Sequence, residues 1–377
     1  MRNAVPPRVN TTPSVGSAAH GFADTASAHP RTVLLGAQGA VDLLPVCDHY
    51  SGVEARMVKS LQLQADMTQE LGVCVFDVTL DCEDGAPVGG EVDQANMVSA
   101  LAIAAQEAPN LIANGLRRRV GARLHAVDHT SFLSDVEIVV GGAAQALSYV
   151  MVPKIESLAD VQAAVAAIDA AVASGPTAGS LPLHVLIESP AAAHRAFEIA
   201  AHPRVQSISF GLMDFVSAHA GAIPHTAMGV RAAADAYTLD QFHHPLVLRA
   251  KLDIASACHA AGKVPSHCVV TELRDMAVVE RSARMAAASL GYTRMWSIHP
   301  SQIEPILRAF TPSVEDIDLA AHIVEQASLS EWAPIAVDGK LHDRASYRYF
   351  WQVLERAYQT GCSIPEPVRT YFPSRDH

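Results

Sequence analysis

The stretch VCVFDVTLDCEDGAPVGGE, residues 73–91, joins an apolar run to a cluster of acids. The run is rich in β-branched residues and predicts a buried strand. Asp81, Glu83 and Asp84 then follow within four residues, before a turn marked by glycine and proline. Two interpretations are open at this point: a solvated loop that caps a helix, or a metal or substrate site at the mouth of a strand.

Similar apolar runs recur along the chain and alternate with helical patterns, such as the alanine-rich segment of residues 157–174. Strands that alternate with helices pair in parallel through right-handed crossovers. Eight such units in roughly 270 residues have the size of a (β/α)₈ barrel. We therefore predict an α/β fold, a TIM (β/α)₈ barrel with an added C-terminal helical segment. An open doubly wound sheet is the alternative, although no GxGxxG follows the first run.

The pattern divides the chain into three parts. These are a disordered N-terminal tail of residues 1–30, a TIM-barrel catalytic domain of residues 31–315, and a C-terminal helical extension of residues 316–377. The extension covers either its own barrel or the site of a neighbouring subunit. The eight predicted strands lie within residues 32–36, 74–80, 118–127, 147–154, 181–189, 205–215, 263–270 and 294–300.

The composition indicates which partners and which cellular compartment to expect for this protein. The formal net charge of −12 argues against nucleic acid or an anionic membrane as partner, but not against a small anionic substrate held by a local arginine. No window approaches the roughly 18 consecutive apolar residues of a membrane span, and the N-terminus lacks the apolar segment of a secretory signal. The six cysteines form no CxxC pair, a pattern typical of reduced thiols. We therefore expect a cytoplasmic protein.

Charged side chains are concentrated at the carboxyl ends of the predicted strands, where the active sites of such barrels lie. The amino ends show no comparable acids. The side chains in question are Glu83, Asp84, Arg123, His125, Lys154, Glu156, Glu188, Asp214 and His299.

Glu188 and Asp214 end two consecutive strands, which would be neighbours in the barrel. Two carboxylates that converge in a partly buried mouth repel each other unless a cation lies between them. Oxygen ligands of this kind suit Mg²⁺, which takes one or two carboxylates and keeps several waters. Glu83 and Asp84 could then hold metal-bound waters. The alternative is that each carboxylate caps the helix that follows its strand.

Arg123 and Lys154 are the cations of this set. The planar guanidinium of Arg123 suits a carboxylate or a developing enolate oxygen. A structural ion pair with Glu83 or Asp84 is the alternative, and the two roles are compatible. For Lys154 we favour an ion pair or a substrate contact over an imine-forming nucleophile.

At this point several ordered pieces of the sequence resemble the HpcH/HpaI aldolase and citrate lyase β-subunit-like family, of which the chain would be a divergent member. The resemblance implies a TIM barrel that binds Mg²⁺, with Mn²⁺ as the alternative metal, and that makes or breaks a carbon–carbon bond in β-hydroxy acids or their CoA thioesters. The pieces are LDCEDGA (80–86), RLH (123–125), PKIES (153–157), LIESPAA (186–192), ISFGLMDF (208–215) and SIHPSQIEPI (297–306).

The resemblance also implies a role for each site residue. Glu188 and Asp214 would ligate the metal directly, and Glu83 and Asp84 would hold its waters. Arg123 would contact the carbonyl or carboxylate of an α-keto acid or glyoxylate-type fragment. Asp343, in GKLHD, would bring an acid to a neighbour's site, within a homotrimer or homohexamer.

One departure concerns the site itself, because His125 replaces the family's asparagine in RVN. A second departure precedes IHP, where residues 295–297 replace a glycine and a lysine.

The function that this resemblance implies is a Mg²⁺-dependent carbon–carbon lyase with a metal-stabilised enolate. Its partner would be a small anionic substrate, with an acyl-CoA among the candidates. Two alternatives stay open: a β-hydroxyacyl-CoA thioesterase on the same scaffold, and a non-catalytic metal-binding subunit of a larger complex.

Overall fold

The computed structural model describes residues 29–36, 43–85, 88–107, 111, 115–173, 180–230 and 239–374. Eight parallel strands form a closed barrel in chain order, and the eighth strand pairs back with the first. The predicted TIM (β/α)₈ barrel is confirmed, and the doubly wound sheet is excluded. Almost all of the predicted N-terminal tail lies outside the described residues, and the three domain boundaries stay a prediction.

The barrel strands are four to six residues long. They are β1 Cys47–Ser51, β2 Phe76–Asp81, β3 Val120–Arg123, β4 Tyr149–Val152, β5 Leu183–Ile187, β6 Val205–Phe210, β7 Val264–His267 and β8 Arg294–Ser297.

The α-helices of the described residues are α1 Pro30–Leu35, α2 Glu54–Leu71, α3 Glu91–Gln106, α4 Phe132–Asp135, α5 Gly141–Ala143, α6 Leu158–Ala173, α7 Pro190–His194, α8 Ala196–Ala200, α9 Leu212–Ser217, α10 Pro245–Ala260, α11 Met276–Leu290, α12 Ile303–Phe310, α13 Val314–Leu329 and α14 Arg344–Gln359. A π-helix, Val136–Val140, joins α4 to α5, and 3₁₀ turns cover His225–Met228, Pro300–Gln302 and Val368–Tyr371. None of these helices is long and apolar enough to cross a membrane.

The first predicted strand is wrong. Residues 32–36 belong to the short helix α1 and its C-cap, because Pro30 fits the first helical position and the His29 side chain at the N-cap accepts the backbone N–H of Arg31. The true first strand, β1, reads CDHYS and has little apolar character, so the hydrophobic pattern does not reveal it.

Polar residues fill the barrel interior, which explains why β1 is polar. Asp48 of β1 and Asp77 of β2 are adjacent in register, and both are fully buried. Arg294 of β8 donates from Nη2 to Asp77 at 2.7 Å and lies 3.5 Å from Asp48. These three side chains form a charged cluster, here named the buried triad, across the seam where the barrel closes.

The lack of a side chain at Gly121 leaves room for a large ring inside the barrel. Gly121 of β3 lies against Tyr149 of β4, where an added Cβ would come within 2.3 Å of the ring. The Tyr149 hydroxyl reaches Asp48 at 3.1 Å and Thr79 at 2.6 Å. Glycine is therefore required at position 121 by packing, and the ring links β4 to the polar interior.

The C-terminal extension has a hydrophobic core of its own. Its buried residues include Trp332, which follows α13, and Trp351 of α14, and Leu34 of α1 joins them. A hairpin of β9 Ile335–Val337 and β10 Lys340–His342 turns at Asp338 and Gly339, both with positive φ. An Asp-Gly pair with this geometry is the usual two-residue hairpin turn. The predicted helical extension thus carries a small hairpin as well.

All six cysteines are free thiols, in agreement with the prediction. Burial raises the pKa of Cys47 to about 12 and shifts that of Cys268 in the same direction. Both thiols are therefore protonated and poorly nucleophilic at neutral pH.

Candidate active site

Arg123, the last residue of β3, is the centre of a charge cluster at the carboxyl ends of the strands. It is buried, and its Nε donates to Asp81 at 2.6 Å. Its Nη1 lies 2.9 Å from Glu83, and its Nη2 donates to Asp84 at 2.6 Å. Burial alone would lower the pKa of Arg123, but Asp81, Tyr50 and Glu83 raise it well above its usual value. The predicted ion pairs with Glu83 and Asp84 are therefore present in the structure.

Asp81 organises the turn that carries the other two acids. Its carboxylate accepts the backbone N–H groups of Glu83 and Asp84 at 3.1 and 3.0 Å. It also accepts the Tyr50 hydroxyl at 2.5 Å, and Tyr50 in turn accepts a hydrogen bond from Arg123. The carboxylate of Asp81 therefore holds the backbone of the turn at Glu83 and Asp84.

Lys154 links the Arg123 cluster to the next strand end. Its Nζ donates to Glu83 at 2.7 Å, and this hydrogen bond raises the pKa of Lys154. Its backbone N–H donates to Glu188 at 2.9 Å. Lys154 has a φ of 51°, a conformation that is uncommon for a residue other than glycine. The strained backbone here turns one peptide N–H toward the carboxylate of Glu188.

Glu188, directly after β5, is buried, whereas Asp214 in the first turn of α9 is exposed. Burial raises the pKa of Glu188 from 4.5 to about 8, and the nearby carboxylates of Asp214 and Glu83 act in the same direction. A Cβ on Gly211 would lie 2.9 Å from a Glu188 carboxylate oxygen. The chain at Gly211 therefore passes directly over the Glu188 carboxylate.

This donor set fits a hard divalent cation. Two carboxylates converge, and burial of one of them disfavours its ionised form. A cation between the two would offset the cost of ionising the buried carboxylate. Within the described ranges no group of three or more His, Cys, Asp or Glu side chains is arranged to hold a metal. Mg²⁺ commonly binds one or two protein carboxylates, and water and substrate oxygens complete its coordination shell.

His125 lies two residues beyond Arg123 and forms a dyad with Asp135. Its backbone N–H and its Nδ1 both lie within 2.8 Å of one Asp135 oxygen, and both side chains are buried. Its ring stacks on His129 at 4.3 Å between centroids. The second ring nitrogen, Nε2, has no hydrogen-bond partner among the described residues, so this nitrogen is available to a ligand.

A cavity of about 390 Å³ opens next to the dyad. Glu83, Asp84 and Lys154 line one part of its wall, and His125 and His129 line another. His125 therefore lines the same cavity as two acids of the Arg123 cluster.

The structure brings most of the predicted site residues together, with Asp343 as the exception. Glu83, Asp84, Arg123, Lys154, Glu188 and Asp214 form one connected set through the contacts above. Asp343 is exposed and caps α14, where it accepts the backbone N–H groups of Ala345 and Ser346. It makes no contact with this set in its own chain.

Sequence reasoning missed two residues of the site. Tyr50 lies on the strand that the hydrophobic pattern did not predict. Asp135 lies at the end of α4, ten residues from His125, and no spacing rule for a helix or a strand connects the two. His125 and Asp135 come into contact because of the path that the loop after β3 takes, and the sequence pattern does not predict that path.

Comparison with known proteins places the chain among a set of lyases. The model of the family described as HpcH/HpaI aldolase/citrate lyase matches residues 60–300. The L-malyl-CoA/beta-methylmalyl-CoA lyase of Cereibacter sphaeroides is 27% identical over 297 residues, which cover 74% of this chain and 86% of that protein.

Solved structures show the same architecture. A citrate lyase from Burkholderia xenovorans LB400 is 45% identical, with a TM-score of 0.73, and the match covers 92% of this chain and 100% of that one. The CitE protein of Mycobacterium tuberculosis, in complex with magnesium, acetoacetate and coenzyme A, is 22% identical, with a TM-score of 0.57. That match covers 83% of this chain and 98% of the other, and at this identity it supports the fold.

Proposed function

Because the chain belongs to the HpcH/HpaI aldolase/citrate lyase family and is an enzyme of the carbon–carbon lyase type, we propose that it is a Mg²⁺-dependent lyase for a β-hydroxy acid or its CoA thioester. The reaction releases or adds an α-keto acid or a glyoxylate-type fragment. The observation that carries the proposal is the buried Glu188 paired with Asp214 beside the Arg123 cluster.

Two relatives favour a CoA thioester over a free acid as substrate. The Cereibacter lyase is named for malyl-CoA and methylmalyl-CoA, and the Mycobacterium protein binds coenzyme A together with magnesium. A small anionic acyl-CoA is therefore the substrate class to test first.

Glu188 and Asp214 would hold the metal, and Glu83 and Asp84 would orient its waters. When bound, Mg²⁺ supplies Lewis-acid polarisation of the substrate oxygens, with Mn²⁺ as a substitute. A cation held there would offset the cost of ionising the buried Glu188, whose pKa is raised first by burial and then by the carboxylate of Asp214.

Arg123 and Lys154 would bind the carboxylate or carbonyl of the keto-acid fragment. Nε of Arg123 donates to Asp81, Nη2 donates to Tyr50 and Asp84, and Nη1 lies 2.9 Å from Glu83. Lys154 is half-exposed and can reach a ligand without breaking the cluster. An arginine that is already oriented by its acids loses little conformational freedom when it binds a carboxylate.

Proton transfer can be assigned to two groups of the chain. In cleavage, a base takes the proton from the β-hydroxyl, the Cα–Cβ bond breaks, the hydroxyl carbon becomes a carbonyl, and the electron pair enters the enolate of the other fragment. We assign the base to Nε2 of His125, because Asp135 holds the ring by Nδ1. Asp343 of a neighbouring copy would return a proton to the enolate carbon, which requires an oligomer, for which we propose a homotrimer or homohexamer.

The test of the function is product analysis with purified full-length protein and malyl-CoA as probe, with and without Mg²⁺. We expect Mg²⁺-dependent release of glyoxylate and acetyl-CoA. Asp214→Ala should abolish both the activity and its metal dependence, while Asp253→Ala, an acid on α10 away from the site, should leave them unchanged. An unchanged rate in Asp214→Ala would refute the metal assignment.

The same assay separates the alternatives. A thioesterase releases free CoA and the intact hydroxy acid, without any carbonyl fragment. A non-catalytic subunit binds Mg²⁺ through Glu188 and Asp214 but turns over no member of a panel of acyl-CoA substrates.

The role of His125 predicts a specific kinetic pattern. His125→Asn, which restores the amide that the family carries, should lower kcat by roughly 10²–10⁴-fold with little change in KM, as for loss of a general base. Asp135→Asn should have a smaller effect in the same direction. His129→Asn, the stacked neighbour, serves as the control, and an equal loss in that variant would count against the dyad.

A further inference from the structure

A second cavity, of about 320 Å³, lies on the face of the barrel opposite the candidate active site. Lys263 and Thr293, which line it, directly precede β7 and β8, and Leu44 precedes β1. All three positions are at the amino ends of strands, whereas the chemistry described above is at the carboxyl ends. Helix α14 of the C-terminal extension closes the other side of the cavity through Glu355 and Arg356.

The charges of the described residues that line this cavity are unbalanced. Among them, three cations, Arg31, Lys263 and Arg356, face a single carboxylate, Glu355. That carboxylate is already engaged, since it accepts from Arg31 and from Trp351, each at 2.7 Å. The excess positive charge is local, because the chain as a whole carries a formal charge of −12.

Arg356 is the cation without a counter-charge. Its guanidinium makes no hydrogen bond and no ion pair with any described residue, although it is partly buried. Burial lowers the pKa of Arg356, and no neighbouring acid opposes the shift. Buried or partly buried arginines are normally paired, because removing a charge from water is costly. The guanidinium of Arg356 thus lines the cavity with donors that no described residue accepts.

Lys263, on the opposite wall of the cavity, is a second cation that has no described acid as its partner. Its Nζ reaches only the backbone carbonyl of Pro203, at 3.3 Å, and no described carboxylate pairs with it. Burial lowers the pKa of Lys263 as well. Two cations from different parts of the chain, one before β7 and one on α14, therefore face the same space without an acid of their own.

We propose that this cavity, here named the basal cavity, binds a small organic phosphate. The phosphate group would take the donors of Arg356 and Lys263, since guanidinium and ammonium groups form strong charge-assisted hydrogen bonds with phosphate oxygens. The organic part would pack on Leu35, Leu43 and Leu44, which supply an apolar surface in the same cavity. The site is separate from the lyase site and does not depend on the proposed reaction.

The experiment is calorimetric titration of the full-length protein with phenyl phosphate, inorganic phosphate and benzoate as probes. We expect phenyl phosphate to bind with one site per chain, more tightly than inorganic phosphate, which lacks the apolar part, and than benzoate, which lacks the second negative charge. Arg356→Gln should weaken phenyl phosphate binding by at least about tenfold, which is the effect of losing one charge-assisted hydrogen bond. Lys263→Gln should do the same.

Arg344→Gln is the matched control, because Arg344 is an exposed arginine on the same helix and does not line the cavity. Thermal unfolding checks that the variants fold. Arg356→Gln removes an unpaired cation, so its Tm without ligand should equal or exceed that of the parent, and the rise in Tm that phenyl phosphate causes in the parent should be lost.

Three outcomes would overturn the proposal. The first is that no probe binds at millimolar concentration, and the second is that Arg344→Gln weakens binding as much as Arg356→Gln. The third is that Arg356→Gln changes the oligomeric state while the parent binds no probe, which would make the cavity a contact between copies of the chain. Lyase activity at saturating substrate should be unchanged in all three variants, so a failure of the proposed function is detected separately.

Discussion

At the scale of the residue, the sequence predicts the charged groups of the site better than it predicts what holds them. Arg123, Glu188 and Asp214 could be selected because polar residues at the ends of apolar runs meet at one face of a barrel. Asp81 is close to these acids in sequence, yet its role depends on a contact with Tyr50 across two strands. Such a contact has no periodic signature, so only the folded structure reveals it.

The raised pKa of Glu188 predicts how metal binding depends on pH. With a pKa near 8 in the metal-free protein, Glu188 carries a proton at neutral pH, and Mg²⁺ must displace it. Mg²⁺ affinity should therefore increase as pH rises from 6 to about 8 and level off above. Calorimetry in buffers of different ionisation enthalpy measures both the affinity and the number of protons released.

The same shift has a consequence for stability. The pKa of Glu188 is 4.5 in the unfolded chain and about 8 in the folded protein. Between these two pH values the folded state binds more protons than the unfolded state, so the free energy of unfolding falls as pH rises. The metal-free protein should lose this stability over that interval, and Mg²⁺ should restore it. Glu188→Gln is the control, and persistence of the pH dependence in that variant would contradict the assignment.

At the scale of the element, β1 and the turn after β6 show where local patterns fail and where they succeed. Strand β1 was missed because Asp48 and Tyr50 face a polar barrel interior, so the rule that a buried strand is apolar does not apply. The sequence predicts Asp214 at the end of the sixth strand, whereas β6 ends at Phe210 and Asp214 lies four residues later, in the first turn of α9. What the sequence did not indicate is that Gly211 lies against the Glu188 carboxylate.

Gly211→Ala tests this close approach. The new Cβ would lie 2.8–2.9 Å from Glu188 atoms, so the carboxylate must move. We expect Mg²⁺ affinity to fall by roughly 10–100-fold, the usual effect of displacing a group that orients a metal ligand, with similar far-ultraviolet circular dichroism. Gly229→Ala is the matched control, because its Cβ would meet its nearest neighbour at an ordinary 3.5 Å. Equal affinities in the two variants would show that the approach is unimportant.

At the scale of the whole molecule, the barrel and the C-terminal extension each have a hydrophobic core of their own. The barrel could be predicted from the count and order of apolar runs. The attachment of α1 to the extension could not, because Leu34 and Trp351 are more than 300 residues apart and meet only through tertiary packing. Asp343 begins a helix of this extension and is turned to solvent, so its catalytic role requires a second copy.

Mixing inactive variants tests that requirement. Asp343→Asn and Asp214→Ala should each be inactive alone. If Asp343 acts on a neighbour's site, mixed oligomers contain some sites with both groups intact, and lyase activity should reappear after the two proteins are co-refolded or co-expressed. Light scattering gives the oligomeric state in parallel. A mixture that stays inactive although it forms mixed oligomers would assign Asp343 a role within its own chain or none.

The buried triad of Asp48, Asp77 and Arg294 has a consequence for how the barrel can change during evolution. With Arg119, which donates to Asp77 at 3.0 Å, the cluster balances two acids against two arginines. Loss of any one member of the triad therefore leaves an uncompensated charge in the barrel, which costs about 3–5 kcal/mol, whereas joint replacement by apolar residues of similar volume can be neutral. Natural selection should therefore remove single substitutions at these three positions, because they destabilise the barrel. In an alignment of relatives, positions 48, 77 and 294 are expected to covary as a unit, even though 217 residues separate Asp77 from Arg294.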